Sequence, residues 1–414
     1  MSDYRRKFGL VTAISMVAGS VIGSGVFFKS ETIAKITDGN VLFGAAAWVV
    51  GALVMLLCLL SFAEIMAESS ENSLYLTSKK LLGARYSRVV GTFMATMYYP
   101  SLVSALSYLA ARYTLLSFGE VTPFTCAFLS VIFLAIAFWQ NAFSASISGR
   151  VQVITTVIKL IPLILMIILG IANGIHTGIL GENIISSGNV PFGAAFFPSV
   201  TATLFAYEGW ISVASIGKML KNRKRNLPIA LIVGGILIAM VYVLYYMGIM
   251  GAVKNETLIN YGGDGIKTAF SNILGRWGRL LCIFVAVSCY GALCALAMGC
   301  GYVTSEVFDK KINHAYFMGV IISFLWLFYL ITNQNGGCFR FDSSELPVVT
   351  IYALYIPIFF SFLKKKRKIK TTILCCGGII ASLFAVVCGI YAHSNEILSY
   401  GAVLVSILLL CKKR

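Results

Sequence analysis

Apolar residues fill this chain in long uninterrupted blocks, and short polar and charged stretches separate the blocks. Most blocks reach about 18 residues or more, which as a helix is enough to cross a hydrocarbon core. We therefore predict an all-α polytopic membrane protein with twelve transmembrane helices. The predicted spans are 9–36, 41–67, 89–117, 122–142, 150–173, 193–217, 227–252, 278–305, 315–332, 345–362, 371–392 and 396–411.

The composition supports a membrane-spanning chain. Of the 414 residues, 58% are apolar or aromatic and only 12% are charged, whereas soluble globular domains carry about twice that charged fraction. The residues before the first span are few and charged, and no small-residue cleavage site follows that span, so we do not expect a removable signal peptide.

The net charge of +17 does not indicate a nucleic-acid partner, because the basic residues lie in short runs between the spans. With the N-terminus inside, 24 of the 33 Lys and Arg residues fall in cytoplasmic segments, eight in external segments and one, Lys159, within a span. The positive-inside rule therefore predicts cytoplasmic termini in the cytoplasmic membrane. The basic runs are interpreted as anchors at anionic lipid headgroups.

Cysteine and histidine give no sign of a metal or catalytic centre. Ten of the eleven Cys residues lie within or at the ends of spans, and only Cys338 falls in an external loop, so we expect no disulfide framework. The three His residues lie in loops or at span ends without a partner motif. We expect no cofactor and no enzymatic activity, and see no sign of an obligatory protein partner.

Small residues interrupt the first span. Gly19, Gly23 and Gly25 stand with Ser20 and Ser24 within an otherwise apolar stretch, and Gly and Ser weaken a helix. The segment fits a broken helix. It also fits a small-residue packing face, since Gly19 and Gly23 have Gly-xxx-Gly spacing.

A second interruption, in the sixth span, favours the broken helix. This span carries a carboxylate and a glycine, Glu208 and Gly209, near mid-membrane. Spans one and six begin two five-helix halves, and breaks at corresponding positions are typical of inverted-repeat transporters. Unwound backbone at that depth is tolerated where it lines a cavity.

Three motifs in this order resemble the amino acid, polyamine and organocation permeases, and within them bacterial relatives of the L-type amino acid transporters. The motifs are Gly-Ser-x-Ile-Gly-Ser-Gly-Val-Phe in span one, Phe-Ala-Tyr-x-Gly-Trp in span six and the following Lys-Asn-x-x-Arg-Asn-Leu-Pro. The resemblance implies the leucine-transporter fold with alternating access. It implies a core of ten helices over 1–363, with repeats 9–173 and 193–363, and two peripheral helices over 364–414.

The resemblance also implies a substrate site at the two breaks. It places the substrate carboxylate on the backbone N–H groups of Ser24 and Gly25, where the positive end of a restarting half-helix favours an anion. It places the substrate ammonium on carbonyls of Val21, Phe205, Ala206 and Glu208. The Phe205 ring stands where relatives carry an aromatic gate, although ordinary core packing also explains a phenylalanine there.

Lys159 is the most informative single residue, because a lysine that deep in a span is costly unless it faces the protein interior. It lies nine positions after Arg150 in span five. The resemblance implies that its ammonium replaces a sodium ion and contacts the carbonyls of Gly19 and Ile22 and the hydroxyl of Ser288. Sodium coupling is therefore not expected, and exchange, facilitated transport or proton coupling stay open.

We predict a sodium-independent amino acid transporter, with neutral L-amino acids as substrates. Glu208 leaves alternatives open, since it could sense protons, favour cationic amino acids or polyamines, or pair with Lys159. A non-transporting amino-acid receptor would share the same residues.

Overall fold

The computed structural model describes residues 9–23, 25–68, 73–119, 121–143, 145–185, 190–210, 221–260, 265–333, 341–365 and 368–412. Within these ranges the chain is almost entirely helical. The α-helices are α1 Leu10–Val21, α2 Gly25–Ile36, α3 Val41–Glu68, α4 Leu74–Phe93, α5 Tyr99–Phe118, α6 Pro123–Phe143, α7 Ala145–Leu165, α8 Ile171–Thr177, α9 Ile179–Ile185, α10 Phe192–Ala206, α11 Arg223–Ala252, α12 Asn255–Asn260, α13 Gly265–Leu274, α14 Gly278–Phe308, α15 Ile312–Asn333, α16 Glu345–Lys365, α17 Ile369–Ala392 and α18 Ile397–Lys412.

The helices confirm the polytopic all-α prediction. Among the described residues, nine helical stretches are long and apolar enough to cross a membrane. Shorter apolar helices, α10 and α18, and the split pair α1 and α2 lie at the other predicted spans. The total of twelve spans stays a prediction. The short helices α9, α12 and α13 were not predicted, because they contain no long apolar block.

A proline shapes the third predicted span. A π-helical turn covers Met94–Tyr98 between α4 and α5, directly before Pro100. Proline has no N–H to donate to the carbonyl four residues earlier, which here belongs to Thr96. The Trp326 Nε1–H donates to that carbonyl at 2.8 Å instead. The Thr96 carbonyl therefore has a hydrogen-bond partner even though Pro100 cannot donate to it.

The two halves of the first span pack against different helices. Helix α1 lies against α11, whereas α2 lies against α10. Helix α14 runs along α5 and α7, and α17 packs on α3, α10 and α16. Helix α18 contacts α4, and Tyr400 on α18 hydrogen-bonds Thr350 on α16. Both helices predicted as peripheral thus contact core helices, while the predicted division at residue 363 stays a prediction. All ten described cysteines are free thiols.

Candidate functional site

The first predicted span is broken where its small residues cluster. Helix α1 ends at Val21, and Ile22 takes an extended conformation with ψ of 94° before α2 begins at Gly25. A Cβ added to Gly25 would lie 2.6 Å from the Cα of Ala206. Gly25 is therefore required for the close approach of α2 to the end of α10.

The sixth predicted span is also interrupted. Helix α10 ends at Ala206 and a turn follows over 207–209. Gly209 has φ of +108°, a backbone conformation that side chains disfavour. The predicted interruption at Gly209 is thus present, and the part of this span after Trp210 lies outside the described residues.

A tyrosine that the sequence analysis missed joins the two interrupted helices. The hydroxyl of Tyr242, on α11, lies 2.9 Å from the carbonyl oxygen of Val21 and 3.2 Å from that of Ala206. Its ring stacks on Tyr207 at 5.0 Å between centroids. Both carbonyls lie at helix ends, where carbonyl groups have no hydrogen-bond partner within the helix. Tyr242 therefore provides a hydrogen-bond donor for carbonyls that the two breaks leave unpaired.

A cavity lies between the two breaks. Nine predicted site residues line it, namely Gly19, Val21, Gly23, Gly25, Lys159, Phe205, Ala206, Glu208 and Gly209. Ile22 and Ser288 are buried but do not line this cavity, and Ser24 lies outside the described residues. The remaining walls come from the third and eighth predicted spans, including Tyr98 and Tyr99.

The Lys159 side chain is buried at 3% exposure, and its ammonium donates to the Gly19 carbonyl. The other two contacts implied by the resemblance are not seen. Within the described ranges, Lys159 makes no hydrogen bond to Ile22, and the buried Ser288 hydroxyl has no hydrogen-bond partner. The lysine thus holds the end of α1, but its contact with α14 through Ser288 is not made.

Glu208 pairs with a tyrosine and not with Lys159. The Tyr98 hydroxyl lies 2.6 Å from Glu208 Oε1, and no ion pair links Glu208 to Lys159 among the described side chains. The second carboxyl oxygen, Oε2, is buried without a hydrogen-bond partner in the part of the chain that the structure describes. A buried carboxyl oxygen without a partner is costly, so this oxygen is available to a ligand.

A family comparison decides what kind of protein this is. A family model described as amino acid permease matches residues 8–411. The chain belongs to the amino acid permease family. This permease is 26% identical over 386 residues to the serine/threonine exchanger SteT of Bacillus subtilis (strain 168), covering 88% of this chain and 84% of the exchanger.

More distant relatives agree with this assignment. The permease is 22% identical over 304 residues to the human cystine/glutamate transporter, which covers 70% of this chain but 58% of that transporter's length. Among solved structures, MhsT in complex with L-phenylalanine superposes with a TM-score of 0.62 at 15% identity, covering 92% of this chain and 98% of MhsT. That likeness concerns the fold alone and confirms the predicted leucine-transporter fold.

The described part of the permease shows no group of three or more His, Cys, Asp or Glu side chains arranged to hold a metal ion. The cavity instead presents an ammonium, a carboxyl oxygen and helix-end carbonyls, which are groups that bind a small zwitterion. Tyr242 carried no signal in the sequence, because a tyrosine in an apolar span is ordinarily a packing residue.

Proposed function

We propose that this permease is a sodium-independent secondary transporter of neutral L-amino acids that works by alternating access. Membership of the family supports an amino acid as the substrate, and the broken helices support a site reached alternately from either side. Exchange of one amino acid for another is the mode we favour, with facilitated or proton-coupled transport as alternatives. The cytoplasmic location of both termini belongs to this proposal.

The observation that carries sodium independence is the position of the Lys159 ammonium. A sodium ion bound at the break would need the free carbonyl oxygens there, and the Gly19 carbonyl already accepts from a cation. A second cation nearby would be repelled by the first. The lysine ammonium therefore occupies the position at which a coupled ion would supply its charge.

We further propose that the substrate lies across the two helix breaks. Its carboxylate would bind at the start of α2, near Gly25, where unpaired N–H groups and the helix dipole favour an anion. Its ammonium would bind the carbonyls of Val21 and Ala206. Tyr242 has one O–H, which donates to one of these two oxygens at a time, and a carbonyl oxygen has two acceptor positions, so at least one stays available on each.

The decisive experiment uses the purified permease in liposomes preloaded with an unlabelled neutral amino acid. We expect uptake of labelled serine or another neutral amino acid in sodium-free buffer, with no stimulation by added sodium. Strict dependence on sodium would contradict the proposal. Saturable binding in a thermal-shift assay without any uptake would indicate the receptor alternative, since a ligand that binds the native state raises its stability.

A second candidate substrate class, cationic amino acids or polyamines, is favoured by one observation. Glu208 lines the cavity, and its Oε2 is buried without a hydrogen-bond partner among the described groups. An ammonium or guanidinium of a substrate side chain would satisfy this oxygen. Competition assays separate the classes. Lysine or putrescine inhibiting uptake in the wild type but not in Glu208→Gln would support the cationic class. The exposed Glu182→Gln variant is the matched control.

A further inference from the structure

A buried network of charged side chains lies away from the cavity. Lys29, on α2, donates to Oε1 of Glu345, the first residue of α16. Glu345 Oε2 lies 3.0 Å from Nε2 of His393, whose Nδ1 lies 3.2 Å from Glu396 Oε2. Lys29 and Glu345 are only 4% and 6% exposed. The network ties α2 and α16 to the turn between α17 and α18.

Asp342 completes this network. Its backbone N–H donates to Glu396 Oε2 at 2.7 Å, and its side chain accepts from the Glu345 N–H at 2.8 Å. Burial acts to raise the pKa of Asp342, but the charges of Lys29 and His393 hold it below its usual range. Asp342 therefore stays ionised and caps the start of α16, which fixes the Glu345 backbone.

The same lysine reaches the cavity through two aromatic rings. Lys29 Nζ lies 5.1 Å from the ring centroid of Phe205 and 5.3 Å from that of Phe28. These two rings meet edge to face at 5.4 Å, and Phe205 lines the cavity. A cation within about 6 Å of a ring is attracted to its face. Direct contacts thus run from the α17–α18 turn to the cavity wall.

We propose that this network is a proton-sensitive latch on one gate of the cavity. His393 is a positioning residue that holds Glu345, and through it Lys29 and the Phe205 ring, in the closed arrangement. In the proposed opening, α2, α10 and the start of α16 move together away from the α17–α18 turn, and such rearrangements exchange one discrete set of contacts for another. The latch gives the turn between the last two helices a part in gating.

The groups that face His393 decide whether protons favour the closed or the open gate. These are Glu345 and Asp342 at the start of α16 and Glu396 on the same turn, with Lys29 on the far side of Glu345. Tyr329 of α15 faces the carboxylates of Asp342 and Glu396, not the imidazole itself.

Burial lowers the pKa of His393, but the hydrogen bond to Glu345 and the neighbouring carboxylates outweigh burial and raise the pKa to about 8. An opened gate would separate the imidazole from Glu345 and return the pKa toward its ordinary value of about 6.5. Protons therefore favour the closed gate. Their contribution is complete below pH about 6.5 and is lost as the pH rises through about 8.

Hydrogen–deuterium exchange of the full-length protein in detergent tests the latch without any transport. After correction for the intrinsic chemical rate, we expect exchange in α2 to rise several-fold, and at most about tenfold, between pH 6.5 and 8.5. In His393→Gln we expect fast exchange at both pH values, because glutamine cannot bind a proton. His176→Gln, an exposed histidine on α8, should behave like the wild type. An equal pH response in wild type and His393→Gln would overturn the proposal.

A transport assay provides a second test of the latch, and this test rests on the proposed transport function. Amino acid exchange in liposomes is measured with the same pH on both sides, so that no proton gradient drives uptake. We expect the wild-type rate to change between pH 6.5 and 8.5 and the rate of His393→Gln to change less over the same range. Absence of flux in every variant would refute the transport proposal alone, whereas identical profiles with active transport would refute the latch.

Discussion

Two regions of this permease each contain a buried lysine, and they differ in whether their buried polar groups have hydrogen-bond partners. In the cavity, Lys159 has one hydrogen bond in the described structure, to a neutral carbonyl, and one Glu208 oxygen has no partner there. In the latch network, Lys29 pairs with Glu345, and both carboxyl oxygens of Glu345 are bonded. Buried polar groups are costly unless satisfied. A region whose buried polar groups still lack hydrogen-bond partners is suited to binding a ligand. A region whose polar groups are all hydrogen-bonded is suited to holding helices together.

The largest effect that separates the two regions concerns flux. Lys159→Ala should lower amino acid exchange by about tenfold or more, because a contact that biases one conformation of the transport cycle is lost. Lys159→Arg should recover little, since a planar guanidinium does not replace a compact ammonium. Exchange in liposomes is compared at matched expression and folding, with Lys370→Ala, whose side chain is 71% exposed, as the control. Wild-type flux in Lys159→Ala would show that this lysine is structural.

The second predicted effect is a loss of stability when Lys29, the lysine of the latch network, is replaced. Lys29→Met removes one of the two cations that pair with the buried Glu345, and breaking a buried ion pair costs up to about 3–5 kcal/mol. The double variant Lys29→Met/Glu345→Gln should regain part of that loss. Lys159→Met should be nearly neutral or stabilising, because its removal leaves only a carbonyl. Thermal unfolding in detergent measures all of these variants. Equal destabilisation by the two methionine variants would remove the distinction between the regions.

A smaller effect tests the close helix contact beside the cavity. Gly25→Ala should destabilise the fold by about 1–3 kcal/mol, as overpacking does, because the new Cβ would lie 2.6 Å from the Ala206 Cα. Gly23→Ala is the matched control, since its Cβ would make ordinary contacts at 3.6 and 3.7 Å. The two variants are compared by their unfolding midpoints, and equal midpoints would contradict this packing role.

The smallest predicted effect concerns the tyrosine that joins the broken helices. Tyr242→Phe should cost about 1–2 kcal/mol, because the two helix-end carbonyls lose the one O–H donor that they share. Tyr245→Phe, on the same helix, should change stability little, because the Tyr245 hydroxyl has no hydrogen-bond partner in the described structure. Unfolding midpoints and exchange rates are measured for both. A larger loss in Tyr245→Phe would mean that the hydroxyl of Tyr242 does not support the site.

The residues found from the sequence share one property, which is that each conflicts with its local surroundings. Lys159 is a charge within an apolar block, and Gly19, Gly23 and Gly25 weaken a helix that must cross a membrane. The structure places all four at the cavity. By contrast, Tyr242 suits an apolar span, so no local conflict indicated its two hydrogen bonds.

The latch network shows the limit of local reasoning more clearly. Lys29 lies near the external end of the first predicted span, which is an ordinary place for a lysine. Its partner Glu345 is 316 positions away, and His393 belongs to a turn between helices that were predicted to be peripheral. Glu208 was a similar case, because its partner was Tyr98 and not the lysine considered for it.

The sequence by itself determined the membrane class, the all-helical fold, the two helix breaks and the buried cation. These features follow from burial cost and helix propensity, which act on neighbouring residues and leave a pattern along the chain. Only the tertiary structure decided which polar groups satisfy one another, including Tyr242 with the two helix ends and Lys29 with Glu345. Such pairings depend on how helices that are distant in sequence pack against each other. The sequence neighbours of a polar residue therefore do not indicate which group will be its partner.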